Sequence, residues 1–163
     1  MDDITYYKAD QNNLQTLIDL RIEFLTEVQH ECFFGESSAE SIKILKRDLA
    51  DYFVKSLNNT CIFYLAKADG DDVGIGGLVI REHPGSFKNP SGKFGYIMNM
   101  YTIPSYRKRG ICTDILNLLI ADACKLGINY FELHASKEGE PVYQKNGFKI
   151  TDQPNYKRHI EIS

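Results

Sequence analysis

Hydrophobic positions recur at three- and four-residue steps over two long stretches near the N-terminus. Leu14, Leu17, Ile18, Ile22, Leu25 and Val28 form the first series; Ile42, Leu45, Leu49, Tyr52 and Phe53 form the second. Each spacing lines one face of an α-helix with apolar side chains. The first helix is expected to start near Gln11, with Asp10 placed to cap it, and the second to run from Ala39 to Leu57. Cys32 to Ser38 interrupts the pattern, and its Phe33-Phe34 pair is expected to plug the core or line a pocket. Ile4–Lys8, Thr60–Lys67 and Val73–Arg81 read as strands, the last two joined across Asp69-Gly70-Asp71. The return strand carries Gly74, Gly76 and Gly77. With no helix after it, this Gly-x-Gly-Gly reads as close backbone packing or a bulge, not as a nucleotide loop.

After a Pro- and Gly-containing loop from His83 to Lys93, Gly95–Ile103 reads as a strand. Gly110–Leu126 reads as a helix, with Ile111, Cys112, Ile115, Leu118, Leu119 and Ala123 inward and Gly127 ending it. Tyr130–Ala135 is a further strand and Pro141–Asn146 a short helix closed by Gly147. Phe148–Thr151 and Lys157–Ile162 are expected as two last strands, paired across Pro154-Asn155. The order is β-α-α-β-β-β-α-β-α-β-β, an α/β (α+β) arrangement. It predicts a mixed, mostly antiparallel sheet of about seven strands with about four helices, in one domain over 1–163. Gly95–Ile103, the following helix and Tyr130–Ala135 make a central βαβ unit, expected to be right-handed.

Composition narrows the function classes. A formal charge of -3 argues against a general nucleic-acid binder, whose basic surface dominates. No run of about 18 apolar residues predicts a membrane span. The acidic N-terminus lacks an apolar signal core, so a cytoplasmic location is expected. Cys32, Cys61, Cys112 and Cys124 have no metal-ligand spacing, so no metal is expected and the thiols read as structural.

The chemistry concentrates in Asn99-Met-Tyr-Thr-Ile-Pro-Ser-Tyr-Arg-Lys-Arg-Gly-Ile-Cys112. A strand passes through a basic, Gly-containing loop into a helix. The N–H groups and dipole of a helix start favour phosphate, Gly110 permits close approach, and Arg107, Lys108 and Arg109 add positive charge. The loop also lies inside a βαβ unit, where α/β proteins tend to bind ligands. Downstream, Pro141-Val-Tyr-Gln-Lys-Asn-Gly-Phe148 carries a tyrosine on the short helix.

Together these segments resemble the acyl-CoA site of the GCN5-related N-acetyltransferase superfamily. The family pattern Arg/Gln-x-x-Gly-x-Gly/Ala is met by Arg107 and Gly110, with Cys112 departing from Gly/Ala. Val142-Tyr-Gln-Lys-Asn-Gly-Phe148 resembles the family's Leu-Tyr-x-Lys-x-Gly-Phe. The resemblance implies acetyl-CoA as co-substrate, with amides from Lys108, Arg109, Gly110, Ile111, Cys112 and Thr113 holding the pyrophosphate and Arg107 and Arg109 supporting it. It places Met100, Tyr101 and Thr102 beside the pantetheine arm, where main-chain amides would stabilise the oxyanion. On residue type alone Met98 and Met100 read as core. Tyr143 would protonate the leaving thiolate, since a phenol is protonated at neutral pH. Ser136 stands where many members have an Asn that touches pantetheine.

On the acceptor side the resemblance implies the first two helices and the loop His83–Lys93. Arg21 falls near the apolar side of the first helix, and Asn99 is a polar residue in an apolar strand that either satisfies a local hydrogen bond or meets the acceptor. The general base stays open. Some members place a Glu where this chain has Tyr96, and water serves in others. Glu82, His83, Glu132 and His134 qualify by type, with His134 at a strand end beside the cleft. The expected activity is direct acetyl transfer in a ternary complex to a primary amine on a small molecule or peptide. Nucleic acid and membrane are not expected partners; the oligomeric state is left open, and the resemblance allows a homodimer because family members are often dimers. The alternative is a non-catalytic acyl-CoA-sensing module on the same fold.

Overall fold

A computed structural model describes residues 3–31, 38–158 and 160. Its elements are β1 (Thr5–Lys8), α1 (Leu14–Glu31), α2 (Ala39–Ser56), β2 (Cys61–Ala68), β3 (Asp71–Glu82), β4 (Lys93–Thr102), α3 (Ile111–Lys125), β5 (Phe131–Leu133) and α4 (Glu140–Lys145). The strands form one sheet in the order β1-β2-β3-β4-β5. The first three pairings are antiparallel, and β4 with β5 is parallel, as a helical crossover requires. Asp10 caps the first turn by accepting from Asn12 N at 2.8 Å, and Ser38 caps α2 by accepting from Ser41 N.

Two apolar clusters sandwich the sheet. On one face α3 contributes Ile111, Ile115, Leu116 and Leu119, packed over Leu78 and Ile97. On the other, α1 and α2 bring Leu17, Leu20 and Phe53 against Phe63, Ile75 and Tyr101. Leu116 rather than Leu118 is the fully buried leucine of the α3 stripe; Leu118 is half-buried. The glycines of β3 explain how closely α3 sits. A Cβ at Gly74 would lie 2.8 Å from Ile111 Cγ2, and one at Gly76 would overlap Ile115 Cγ2 and Met100 Sδ. Close packing is therefore the role of the Gly-x-Gly-Gly segment.

Strand β4 contains an extra residue. Ile75 and Gly77 of β3 face Tyr101 and Met98, so two steps on β3 oppose three on β4. Asn99 lies inside this bulge with a left-handed backbone, φ 55°. The insertion reverses the strand's alternation. Ile97 packs under α3, whereas Tyr101, four residues on, packs under α1.

The sheet has five strands, not about seven. Phe148–Thr151 and the described residues of 157–162 form no strand, and 159 and 161–163 lie outside the described residues. Strand β5 is also shorter than expected, Phe131–Leu133 rather than Tyr130–Ala135. Alternation supports a strand only when one face has something to pack against. Here Ile150 and Tyr156 are largely exposed. Cys32 and the Phe33-Phe34 pair also lie outside the described residues.

Asp122 ties α3 to the far edge of the sheet. Its carboxylate accepts from Lys125 Nζ at 2.8 Å, Lys8 Nζ at 3.1 Å and Tyr64 Oη at 2.9 Å. These bonds, that from Lys125 first, hold its pKa down at about 2. A depressed carboxylate stabilises the fold fully above its unfolded value near 3.8, and that contribution fades as pH falls toward 2.

Two outcomes follow from this packing. Gly76→Val lowers the unfolding free energy by about 1–3 kcal/mol through overpacking against Ile115, read from urea melts. Between pH 6 and pH 3 the wild type loses on the order of 1 kcal/mol more stability than Asp122→Asn, read from urea midpoints at both pH values.

Candidate active site

The parallel pair at the sheet's end is short. Gly95, Tyr96 and Ile97 pair with Phe131, Glu132 and Leu133, and no register continues beyond. Strand β4 runs on to Thr102 while still paired with β3 on its other side. The edge of β4 from Met98 to Thr102 thus has no strand neighbour on the β5 side among the described residues. Alternate N–H and C=O groups of this stretch point into a widening gap. The side chains of Met100 and Tyr101 turn away into packing: Met100 lies over Gly76, and Tyr101 is buried against Phe24. Only their backbone faces the gap.

The gap leads to the start of α3. After the 3-10 turn Pro104–Tyr106, Lys108 and Gly110 take left-handed backbone, φ 62° and 85°. These two reversals swing the chain into the helix. The first helical bond is Asp114 N–H to Gly110 O, so the N–H groups of Ile111, Cys112 and Thr113 precede the ladder and point outward. Cys112 is half-buried, and burial pushes its thiol up to about 11. It therefore stays neutral at the helix start.

Arg107 is engaged elsewhere than in the loop. Its Nη2 donates to both carboxylate oxygens of Glu27, at 2.7 and 2.6 Å, and its Nε donates to Thr102 O at 2.8 Å. The guanidinium also lies 5.6 Å from the Tyr101 ring centroid. It fastens α1 to the end of β4. Arg109 stacks on Tyr106, 4.6 Å from the ring centroid, and donates to Ser105 O at 3.4 Å. Lys108 is exposed.

On the opposite wall, Tyr143 projects from α4 into the α3 cluster, its ring 6.0 Å from that of Phe148. Burial raises its pKa well above the ordinary phenol value, and the neighbouring Cys112 thiol raises it further. The phenol is protonated throughout the physiological range. Asn146 and Gly147 close α4 as expected, with Phe148 N–H donating to Tyr143 O at 3.0 Å. Ser136 Oγ accepts from Gly139 N at 3.2 Å and so fixes the turn that carries α4.

The α1 face of β4 holds the remaining candidates. Arg21 Nη1 donates to Asn99 Oδ1 at 3.1 Å. Asn99 is 3% exposed, and its Nδ2 has no hydrogen-bond partner. His134 follows the end of β5, with Nδ1 2.8 Å from Tyr96 Oη and Nε2 3.1 Å from Asn155 Nδ2. Arg81 lies 3.8 Å over the Tyr96 ring. The fold gathers Met100–Thr102, Ile111–Thr113 and Tyr143 around one gap and sets Arg21 and Asn99 on the α1 face of β4, while His134 lines a cavity beside β5 together with Tyr143 and Phe148. Glu27, Arg81 and Asn155 have structural parts that the linear pattern does not single out. Each meets its partner across a sequence separation that no periodicity encodes.

The loop geometry carries a prediction. A Cβ at Gly110 would meet only Asp114 Oδ2, at 4.0 Å, so a substitution there is opposed by backbone strain alone. Gly110→Ala lowers the unfolding free energy by about 1–2 kcal/mol, measured by thermal and urea melts.

The family pattern described as "Acetyltransferase (GNAT) family" matches residues 22–148. A protein of Clostridium acetobutylicum, described as a predicted acetyltransferase and solved with acetyl-CoA, is 29% identical with TM-score 0.84 over 96% of each chain. A GCN5-related N-acetyltransferase of Ralstonia eutropha is 23% identical with TM-score 0.79, over 96% of this chain and 99% of that one. The Arabidopsis thaliana protein GCN5-related N-acetyltransferase 6, chloroplastic, is 32% identical over 65 residues, 38% of this chain. The match spans 23% of that relative's length. Among the described residues, no helix is long and apolar enough to cross a membrane. With the split parallel pair, the helix start and the tyrosine wall in one place, and the family pattern spanning most of the sequence, the chain belongs to the GNAT acetyltransferase family.

Proposed function

We propose that this protein transfers the acetyl group of acetyl-CoA directly to a primary amine in a ternary complex. The observation that carries the reading is the unpaired edge of β4, which opens onto the outward N–H groups of Ile111, Cys112 and Thr113 and onto Tyr143. Acetyl-CoA fits this groove by chemistry. The pyrophosphate takes the helix start, where N–H groups and the macrodipole favour negative charge. The amide-bearing pantetheine arm takes the free strand edge as an added strand would.

The acetyl carbonyl then lies along Met100–Thr102. The outward N–H groups of that stretch are fixed by the β3 ladder and meet the oxyanion with little reorganisation. The amine attacks the carbonyl carbon and gives its surplus proton to solvent water, the tetrahedral adduct collapses, and the C–S bond breaks. Tyr143 supplies the proton to the departing sulfur, and water afterwards reprotonates the Tyr143 phenolate. Its raised pKa keeps that proton in place at any pH where a free amine is available. Cys112 is unsuited to a covalent route, since burial keeps its thiol protonated.

Tyr143→Phe is expected to lower kcat by about 10- to 100-fold while the Kd for acetyl-CoA stays within about threefold. CoA release against a panel of amines measures the first, and calorimetry the second. Unchanged turnover from pH 6 to 9 removes Tyr143 from the mechanism. Acetyl-CoA binding with no release against any amine favours the sensing module instead.

A further inference from the structure

Among the described residues, the α1 face of β4 contains a buried hydrogen-bond donor that lacks an acceptor, Asn99 Nδ2. Asn99 is 3% exposed and its Nδ2 is unpartnered, a deficiency that folded proteins rarely tolerate. It is held by a left-handed backbone, a conformation that raises the energy of the free protein. Directly against it lies Arg21, half-buried, with Asn99 Oδ1 as its hydrogen-bond acceptor at 3.1 Å and the Phe24 ring 5.7 Å away. No carboxylate is ion-paired with Arg21 among the described residues. A half-buried guanidinium that Asn99 Oδ1 holds and no carboxylate neutralises among the described residues is suited to an anion with two acceptor oxygens.

The neighbouring charges favour the same ligand. Glu27 is committed to Arg107, and Glu23 and Glu132 are exposed. Arg81 adds a second guanidinium on the same face, over Tyr96. We propose that the amine acceptor carries a carboxylate, as an amino acid does, and that Arg21 binds it while Asn99 orients the guanidinium from below. The inference rests on the acetyl-transfer reading above and names its substrate class. Arg21 meets β4 at Asn99, inside the stretch Met98–Thr102 that has no β5 partner, so a carboxylate held at Arg21 leaves the amine of the same molecule close to the strand edge assigned to the acetyl group.

Two readouts test this, one catalytic and one not. The kcat/KM values of free amino acids are compared with those of their carboxamides and of the corresponding decarboxylated amines. Separately, N-acetylated amino acids and N-acetylated amino-acid amides are tested for thermal stabilisation of the CoA-bound protein. The variants are Arg21→Gln and Asn99→Asp, with retention of the CoA-induced thermal shift as the folding control. Asn99→Asp keeps size and tolerates the left-handed backbone, but places an internal carboxylate against Arg21.

The expected result is a preference of about tenfold or more for acids over amides in the wild type. Both variants collapse that preference toward unity, and the same carboxylate selectivity disappears from the thermal shifts. Turnover of amides as efficient as that of acids, or a preference that survives both variants, overturns the proposal and leaves the transferase reading standing. Stabilisation by N-acetylated amino acids that the variants abolish, without turnover of any amine, keeps the carboxylate site and overturns the transferase reading. Absence of both turnover and stabilisation overturns both.

Discussion

The extra residue in β4 is the constraint on which the rest of the site depends. A strand that keeps its alternation presents the same face to the same neighbour along its whole length. Here β4 must do otherwise. Up to Ile97 it pairs with β5 and packs under α3; from Asn99 onward it turns its other side to α3 and loses β5. One residue in left-handed conformation achieves both. The energy it adds, of order 1 kcal/mol or more, is offset by the packing of Tyr101 and Met100 on either side of it. A gap that exposes backbone amides inside a folded protein would otherwise close or fill with another strand.

Holding that gap open falls to contacts around its rim. The β3 glycines let Ile111 and Ile115 of α3 approach the sheet closely, and the position of Ile111 is the position of the helix start. Arg107 pins the middle of the loop between β4 and α3 to the end of β4 through Thr102 O and to α1 through Glu27. Asp122 anchors the opposite end of α3 to β1 and β2. The helix is thus clamped at three points, and its outward N–H groups are set before any ligand arrives. Preorganisation of this kind lowers the reorganisation needed on binding.

The electrostatic division of the two sides of β4 follows from the same bulge. On the gap side, neutral groups dominate: a protonated phenol, a protonated thiol and backbone N–H. On the α1 side stand guanidiniums and an unpartnered amide. In the acetyl transfer proposed above, the thioester takes the neutral side and the acceptor the charged one, with β4 between them.

The sequence by itself determined the three long helices, the antiparallel strands from β1 to β4, the glycine turn at Gly110 that opens α3 and the tyrosine-bearing short helix. Each of these rests on local periodicity, capping or turn chemistry, which a linear reading captures. The outward alternation of Phe148–Thr151 and of Lys157–Ile162 looked equally strand-like. Among the described residues these stretches form no strand: β5 is only three residues long, Ile150 and Ile160 lie exposed, and Phe148 packs on Tyr143 instead of on a neighbouring strand. Whether a pattern becomes a strand depends on a partner, and the sequence does not list partners. The commitment of Arg107 to Glu27 rather than to the loop was decided by tertiary structure alone, as were the parity reversal at Asn99 and the meeting of Arg21 with its amide. Each depends on side chains brought together from distant elements, where the physics lies in the packing of α1 on the sheet and not in the order of neighbouring residues.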